Sequence, residues 1–219
     1  MRIGLFGGTF NPIHIGHIKV SAEIKEAFKL DTIYMIPSAT PPHKKSKGIA
    51  DASDRLEMTR LAVSKQEGYN VSDIELKRSG PSYTVDTINH FIKKSLSADA
   101  SLYFILGTDA FLEIDTWMSY KELFNMLPFI VMSRPKKSSI VTPEQLEAYI
   151  LNNVSESYAF QRQENRFVDN RYRPIYIFNV APYDISSTDI REKIKKRKPI
   201  GDMVPEKVEN YIRKKGLYL

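Results

Sequence analysis

The sequence predicts an α/β fold with an open parallel sheet and helices on both of its faces, a three-layer αβα arrangement. Short apolar segments typical of buried strands alternate along the chain with longer segments whose apolar residues recur at helical spacing. The 219 residues are 42% hydrophobic and 26% charged, which is enough for one substantial core and short for two independent enzyme domains. We therefore predict a single domain over residues 1–219.

Each strand and helix is predicted from its local pattern along the chain. The first strand covers residues 2–6, and a helix starts at residue 16, where apolar residues return at roughly helical spacing. The remaining predicted strands are 32–36, 69–76, 101–106, 129–133 and 175–179. The remaining predicted helices are 53–65, capped by Ser53, then 84–94, 110–114, 120–126, 143–151, 188–196 and 205–215. The pattern weakens over residues 134–174, where residues 152–173 are polar and irregular. We expect this region to be an elaboration of the domain that is mobile or forms oligomers. The series as a whole predicts a Rossmann-like sheet.

A glycine-rich turn and two histidines follow the first strand. Gly7 and Gly8 let the backbone turn sharply with little bulk beside a ligand. His14 and His17 lie at or just before the helix N-terminus, where free N–H groups and the helix dipole favour anions. Two imidazoles there are able to donate to phosphate oxygens, so this run predicts a nucleotide site.

Simpler explanations of this run are an ordinary turn, structural histidines, or half of a metal site. Metal binding is disfavoured because the chain has no cysteine and this segment has no acidic ligand. A Walker loop and a dinucleotide-binding turn are also disfavoured, since neither Gly-Lys-Ser/Thr nor G-x-G-x-x-G is present.

The whole run, Gly7-Gly8-Thr9-Phe10-Asn11-Pro12-x-His14-x-Gly16-His17, resembles the signature of the nucleotidylyltransferase superfamily, specifically the bacterial nicotinate-nucleotide adenylyltransferases. The resemblance implies adenylyl transfer from ATP to nicotinate mononucleotide, giving deamido-NAD and pyrophosphate without a covalent enzyme intermediate. It also implies that Mg²⁺ binds mainly through the ATP phosphates, near Asp109, with no dedicated metal ligands. The ATP-binding residues that it implies in this run are Gly7, Gly8, Thr9, Phe10, His14 and His17, the two histidines being catalytic.

A later run resembles the second phosphate motif of the same superfamily, namely Ile185-Ser186-Ser187-Thr188-Asp189-Ile190-Arg191. Ser186 and Asp189 also form a capping box, which explains both residues without a ligand. Arg191, one turn into the helix, is able to fork onto a phosphate. We expect Ser186, Ser187 and Arg191 to bind the triphosphate, with Arg191 catalytic.

Other candidate residues follow strands, where open parallel sheets bind ligands. At Gly107 the backbone is able to approach a ribose, and the carboxylate of Asp109 is able to reach the ribose hydroxyls or a hydrated Mg²⁺. Asp109 is equally suited to cap a helix. The P-P-H-K segment of the family matches residues 41–44, so Lys44 is expected to contact a phosphate and His43 to orient the loop. Asp54 and Arg55 are expected to be structural, joining their helix to this loop by an ion pair.

The second substrate is expected to bind at two further segments. Tyr83 and Thr84 match a family stretch that holds the pyridine nucleotide, and the alternative is a turn with Thr84 as helix cap. Trp117, the only tryptophan, is implied by the family to stack on the nicotinate ring, although a sole tryptophan is more often a core residue. The main-chain N–H groups of Trp117 and Met118 would then receive the nicotinate carboxylate.

Charge and composition limit the partners. The net charge of +6 suits anions in general, and six of the basic residues lie within residues 191–198. A basic nucleic-acid-binding module is the alternative class, but few aromatic residues accompany the basic run, so we expect no nucleic-acid partner. Nicotinamide mononucleotide and phosphopantetheine stay open as other acceptors. We also expect no membrane span or leader, a cytoplasmic location compatible with the lack of cysteine, and possible homo-oligomers.

Overall fold

A computed structural model of the protein describes residues 1–40, 48–94, 100–133 and 142–219. Eight strands form one sheet in the order β3-β2-β1-β4-β5-β8-β7-β6. The strands are β1 (Arg2–Gly8), β2 (Thr32–Pro37), β3 (Tyr69–Val71), β4 (Ser101–Gly107), β5 (Phe129–Ser133), β6 (Ala159–Gln161), β7 (Arg166–Val168) and β8 (Ile175–Asn179). The helices are α1 (Ile15–Ala27), α2 (Ala52–Val63), α3 (Thr84–Lys94), α4 (Thr108–Phe111), α5 (Tyr120–Met126), α6 (Pro143–Asn153), α7 (Ser187–Lys195) and α8 (Glu206–Lys215). No helix in these described ranges is long and apolar enough to cross a membrane.

The predicted α/β class is confirmed, and the sheet is mostly parallel. Strand β2 pairs in parallel with β3, and β5 pairs in parallel with both β4 and β8. The pairs β6–β7 and β7–β8 are antiparallel, so the prediction of an irregular stretch over residues 152–173 is wrong there. The two strands were missed because each has only three residues and polar neighbours; their one aromatic pair, Phe160 and Phe167, has ring centroids 4.6 Å apart.

Most predicted elements differ from the structure by one or two residues at an end, and three differences are larger or change a helix cap. Helix α2 begins at Ala52, after Asp51, so Ser53 is not its cap. Strand β3 ends at Val71, because Asp73 then starts a turn in which its carbonyl accepts from the N–H groups of Leu76 and Lys77. The helix predicted over residues 110–114 is instead α4 followed by a separate 3₁₀ turn, Ile114–Thr116.

The chain divides into two compact units. The first unit comprises Met1–Leu5 and Tyr83–Pro182, and the second comprises Phe6–Ser82 and Tyr183–Leu219. The core of the first unit contains an aromatic cluster in which Phe124 stacks on Phe129 with centroids 4.8 Å apart. The core of the second unit is aliphatic and includes the fully buried Ile13, Ile24, Ile33 and Val208. A single domain over residues 1–219 stays a prediction.

Candidate active site

The loop between β1 and α1 closes around an aromatic side chain. Phe10 is 3% exposed, and its ring makes edge contacts with Phe6 and His17 at centroid distances of 5.7 and 5.1 Å. A Cβ added to Gly8 would lie 2.8 Å from Cε1 of Phe10, closer than real Cβ atoms come to neighbours. Gly8 is therefore needed because the Phe10 ring lies against its backbone.

The two histidines are joined to each other at the start of α1. Their rings are 3.7 Å apart between centroids, and the backbone N–H of His14 donates to Nδ1 of His17 at 3.3 Å. Because Nδ1 of His17 accepts a hydrogen bond from a backbone donor, the proton of the neutral ring is on Nε2. His14 is 2% exposed and precedes α1 as its N-cap residue. The structure thus sets the tautomer of His17, with the proton of its neutral ring on Nε2.

Three side chains bind carbonyl groups of the loop that follows Gly8. Arg55 donates to the Thr9 carbonyl at 2.8 Å, Arg191 to the Asn11 carbonyl at 2.8 Å, and Ser187 to the Pro12 carbonyl at 2.8 Å. These donors hold the partially negative carbonyl oxygens on the side of α2 and α7. In a trans peptide the carbonyl and the following N–H point in opposite directions. The N–H groups of Phe10 and Ile13, which follow the carbonyls of Thr9 and Pro12, therefore point away from these donors.

Arg55 is a buried cation that connects three loops. It is 1% exposed and also donates to the carbonyls of Ala50 at 2.9 Å and Ala39 at 3.0 Å. Burial lowers the pKa of Arg55, while the nearby Tyr218, Glu75 and Asp51 act in the opposite direction and favour the charged form. The expected structural role is present, but among the described residues it acts through carbonyl groups rather than through an ion pair.

Asp54, the neighbour of Arg55, faces the C-terminal helix. Its Oδ1 accepts from the hydroxyl of Tyr211 at 2.8 Å and lies 3.9 Å from Nζ of Lys215. Both donors belong to α8. Asp54 therefore joins α2 to α8, a role that the sequence did not indicate.

Asn11 is a second connecting residue and was not among the predicted site residues. Its side chain, in a residue 6% exposed, donates to the Gly48 carbonyl at 2.9 Å and accepts from the Ala50 N–H at 3.0 Å. The same Oδ1 accepts from the hydroxyl of Tyr218 at 2.8 Å. These partners lie up to 207 positions away, so only the place of Asn11 within the glycine-histidine run could have drawn attention to it.

Ser186 caps α7 as predicted, but only this half of the predicted capping box is seen, because the Asp189 carboxylate binds the Ser186 hydroxyl rather than its backbone N–H. Ser186 accepts from the Asp189 N–H at 3.1 Å and donates to the Asp189 carboxylate at 2.6 Å. Arg191 uses Nη1 for the Asn11 carbonyl and Nη2 for the Thr188 hydroxyl at 3.2 Å. A guanidinium has five N–H donors, so these two bonds orient the side chain and leave donors for an anion. The second unit thus brings together His14, His17, Ser186, Ser187 and Arg191.

Gly107 and Asp109 lie where β4 leads into α4 in the first unit. Gly107 is the N-cap residue of α4, so Asp109 is exposed in the first turn and does not cap the helix. A Cβ on Gly107 would meet no atom of the described residues within 4 Å, so packing does not require this glycine. Between them, Thr108 is buried and donates to the Met132 carbonyl at 2.8 Å, which anchors the turn to β5.

Trp117 is half-buried, and its ring meets the edge of Phe104 at a centroid distance of 6.4 Å. Its backbone N–H donates to the Ile114 carbonyl at 2.9 Å, so this group is engaged within the 3₁₀ turn rather than presented to a carboxylate as expected. The indole ring is what Trp117 offers. Met118, the next residue, is 51% exposed.

Helix α6, part of the region predicted to be an elaboration, supports the Trp117 segment. The hydroxyl of Tyr149 donates to the Asp115 carboxylate at 2.7 Å and accepts from the Asp115 N–H at 3.3 Å. The hydroxyl of Tyr120 donates to the Asn153 carbonyl at 3.0 Å. Burial, followed by the bond to Asp115, raises the pKa of Tyr149. The turn that precedes Trp117 and the helix that follows it are therefore both bound to α6.

Two other predicted segments have different outcomes. Thr84 is the first residue of α3 and not its cap, while Tyr83 is half-buried and its carbonyl accepts from Thr87. Lys44 and His43 lie outside the described residues. Ser82 binds the start of their loop, since its hydroxyl accepts from the Ala39 N–H at 2.9 Å.

The described parts of the chain contain no group of three or more His, Cys, Asp or Glu side chains placed to hold a metal ion. Asp109 is a single exposed carboxylate. Such a residue suits Mg²⁺, which is commonly held by one or two carboxylates together with water and substrate phosphates.

Comparison with known proteins gives consistent similarities. Residues 5–193 match the model of the cytidylyltransferase-like family. Over 220 aligned residues the chain is 42% identical to a protein of Desulfatibacillum aliphaticivorans named a probable nicotinate-nucleotide adenylyltransferase, with all of both chains covered. A protein of the same name from Moorella thermoacetica is 40% identical, covering 99% of this chain and 91% of its own.

Among solved structures, the fold is similar to Plasmodium falciparum nicotinic acid mononucleotide adenylyltransferase complexed with NaAD. The TM-score is 0.72 at 20% identity, with 99% of this chain and 97% of the other covered. At this identity the likeness shows the fold alone.

Proposed function

This chain belongs to the cytidylyltransferase-like family, and on that premise we propose that it transfers the adenylyl group of ATP to nicotinate mononucleotide. The products are nicotinate adenine dinucleotide and pyrophosphate, and the reaction is a step of NAD biosynthesis. The observation that carries the proposal is the His14–His17 pair at the start of α1, whose rings lie 3.7 Å apart between centroids and whose backbone bond to Nδ1 fixes the His17 tautomer. The full-length relatives at 42% and 40% identity support the choice of acceptor.

The second unit supplies groups suited to the triphosphate. Phosphate oxygens are attracted by the His17 imidazole, by the N-terminus of α1 and by the remaining donors of Arg191. We assign the β and γ phosphates to His14 and His17, and the triphosphate tail to Ser186, Ser187 and Arg191. The N–H groups that follow Thr9 and Pro12 point away from the carbonyl donors and add to the same preference for anions.

The reaction needs no covalent enzyme intermediate. An oxygen of the 5′-phosphate of the acceptor forms a bond to the α-phosphorus of ATP, and the bond from that phosphorus to the oxygen bridging to the β-phosphate breaks. The electron pair leaves with pyrophosphate. Because the nucleophile is already an anion, His17 and Arg191 contribute by orienting the phosphates and stabilising charge on the leaving group.

Mg²⁺ is proposed to enter with ATP and to be bound mainly by its phosphates, with Asp109 as the protein carboxylate that would assist. When bound, the ion neutralises charge on the phosphate oxygens. The exposed side chain of Asp109 supports this role, since Mg²⁺ retains several waters when few protein ligands are present.

The acceptor is assigned to the Trp117 segment, to Tyr83 and Thr84, and to Lys44. Trp117 supports this assignment with a half-buried indole that already has one edge contact, with Phe104. Met118 is retained as a main-chain contact for the carboxylate. The cysteine-free composition is compatible with a cytoplasmic reaction, and homo-oligomers stay a prediction.

The proposal is tested by measuring pyrophosphate release from ATP and Mg²⁺ with nicotinate mononucleotide, nicotinamide mononucleotide or phosphopantetheine as acceptor. Fastest turnover with the nicotinate compound is expected. A clear preference for either other acceptor would replace the proposed substrate, and salt-sensitive RNA binding without pyrophosphate release would replace the proposed class.

A variant tests the histidine role. His17→Ala should lower kcat about 10²-fold to 10⁴-fold, as expected when a charge-stabilising donor is lost, while the circular dichroism spectrum is unchanged. His90→Ala is the control, because His90 lies on α3 of the first unit and its ring contacts Phe91. Near-normal turnover of a folded His17→Ala protein would contradict the assignment.

A further inference from the structure

The C-terminal turn brings a tyrosine to residues 9–14 between β1 and α1, which we call the phosphate loop. Helix α8 ends at Lys215, and Gly216 caps it in the left-handed conformation with φ of 62°. The Gly216 and Leu217 N–H groups then donate to the carbonyls of Arg213 and Ile212, which closes the helix end. This turn directs the chain so that the hydroxyl of Tyr218 donates to Oδ1 of Asn11 at 2.8 Å.

The direction of that bond is set by the other partners of Asn11. Its Nδ2 donates to the Gly48 carbonyl, so the remaining atom is the oxygen, which accepts from the Ala50 N–H. An amide oxygen has two lone pairs, and Tyr218 supplies the second donor. Asn11 is therefore held from both ends of its amide, with Tyr218 contributing the bond from the distant C-terminal segment.

Tyr218 also lies beside the two arginines that bind carbonyls of the loop. Arg191 and Arg55 both interact electrostatically with its phenol, and burial raises its pKa. Arg191 in turn donates to the main-chain carbonyl of Asn11, the residue that Tyr218 holds by its side chain. A shift of Asn11 would consequently move the acceptor that orients Arg191.

We propose that Tyr218 is a positioning residue for adenylyl transfer, which acts on ATP through Asn11 and Arg191. The inference rests on the proposed function, because it assigns Arg191 to the triphosphate. Tyr218 does not bind the acceptor and does not react; it sets the position of the loop to which the phosphates bind.

Tyr218→Phe tests this by removing one hydroxyl and little else. The matched control is Tyr211→Phe, since Tyr211 also lies in the C-terminal segment and donates one hydroxyl bond, at 2.8 Å, but to Asp54 of α2. We expect Tyr218→Phe to raise the KM for ATP and the Kd for a non-hydrolysable ATP analogue about fivefold to tenfold, the worth of one hydrogen bond. The KM for the acceptor should be unchanged, and Tyr211→Phe should move neither ATP constant.

A double-mutant cycle tests the route of the effect. If Tyr218 acts through Asn11 on Arg191, then Tyr218→Phe in an Arg191→Lys background should weaken analogue binding less than twofold, because the coupled partner is already altered. Gly216→Ala gives a second variant, since alanine is strained at a φ of 62° and would displace Tyr218 without removing it. It should raise the KM for ATP in the same way.

Two results would overturn the inference. One is that Tyr218→Phe and Tyr211→Phe have the same ATP constants and differ, if at all, only in melting temperature. The other is that the Tyr218 and Arg191 effects simply multiply. Both require an active wild-type enzyme, whereas absence of pyrophosphate release from the wild type would mean that the proposed function itself has failed.

Discussion

Replacing Arg55 by methionine tests whether the buried guanidinium holds the loops of the second unit together. The side chain is 1% exposed and makes hydrogen bonds of 2.9, 2.8 and 3.0 Å to the carbonyls of Ala50, Thr9 and Ala39. Methionine has a similar length and no donor. The substitution therefore leaves these carbonyls without their cation and removes a positive charge near the buried Glu75.

The magnitude follows from the burial. Each hydrogen bond from a charged donor contributes roughly 1.5–3 kcal/mol, but the three are not additive, and removing the guanidinium also removes its own desolvation cost. The net expectation is about 3–5 kcal/mol, because three carbonyls lose a charged donor at once and an unsatisfied buried acceptor costs about 1–3 kcal/mol. The total stability of a domain is about 5–15 kcal/mol, so the variant should fold and the loss should be measurable by urea unfolding at pH 7.

Arg60 provides the matched control on the same helix. Its side chain is 50% exposed, and its nearest carboxylate oxygens, on Asp73 and Glu57, lie 3.7 and 3.9 Å away. Because exposed pairs contribute little, Arg60→Met should change the free energy of unfolding by about 0.5 kcal/mol or less. Equal losses in the two variants would refute the view that the carbonyl contacts of Arg55 stabilise the loops.

Three further predictions concern other parts of the chain. Gly8→Ala places a Cβ 2.8 Å from Cε1 of Phe10, so the ring must move. We expect kcat to fall about tenfold or more while the circular dichroism spectrum is unchanged. A normal kcat would show that the loop adjusts freely. Tyr149→Phe removes the 2.7 Å bond to Asp115, so the KM for the acceptor should rise about threefold to tenfold while that for ATP stays constant, and a matching rise in both would argue against this. Burial, and then the bond to Asp54, raises the pKa of Tyr211 from 10.0 to about 12, so the stabilisation from its protonated hydroxyl is complete below pH 10 and lost towards pH 12. The free energy of unfolding of Tyr211→Phe, measured in urea, should therefore depend less on pH across that window than that of the wild type. The same pH dependence in both proteins would count against this.

Elements with strong local signals were predictable to the residue. Strands β5 and β8 were predicted with their observed bounds, and each follows a proline, Pro128 and Pro174. Proline disfavours a helix before it and cannot donate, so it marks the beginning of the apolar run that follows. Helices α3 and α5 were likewise predicted with their observed bounds. Local pattern was sufficient wherever apolar residues and turn residues agreed.

The connecting residues could not be predicted in the same way. The sequence places Asn11 inside the recognised run, but nothing local indicates that its amide meets Tyr218, 207 positions away. Arg55 was predicted to join its helix to the neighbouring loop by an ion pair, whereas it is buried and bound to three carbonyls. Such contacts depend on how α2 and α8 pack, and this is a property of the tertiary structure.

The polarity of the phosphate loop explains why these distant residues matter. An anion is attracted by N–H groups and repelled by carbonyl oxygens, and every peptide unit of the loop carries both. Glycines let the backbone approach a phosphate, but they do not decide which end of each peptide faces it. Here Arg55 of α2 binds the carbonyl of Thr9, while Arg191 and Ser187 of α7 bind the carbonyls of Asn11 and Pro12, at 2.8 Å each. The preference of the loop for anions is therefore set as much by these three side chains as by the glycine-histidine run itself.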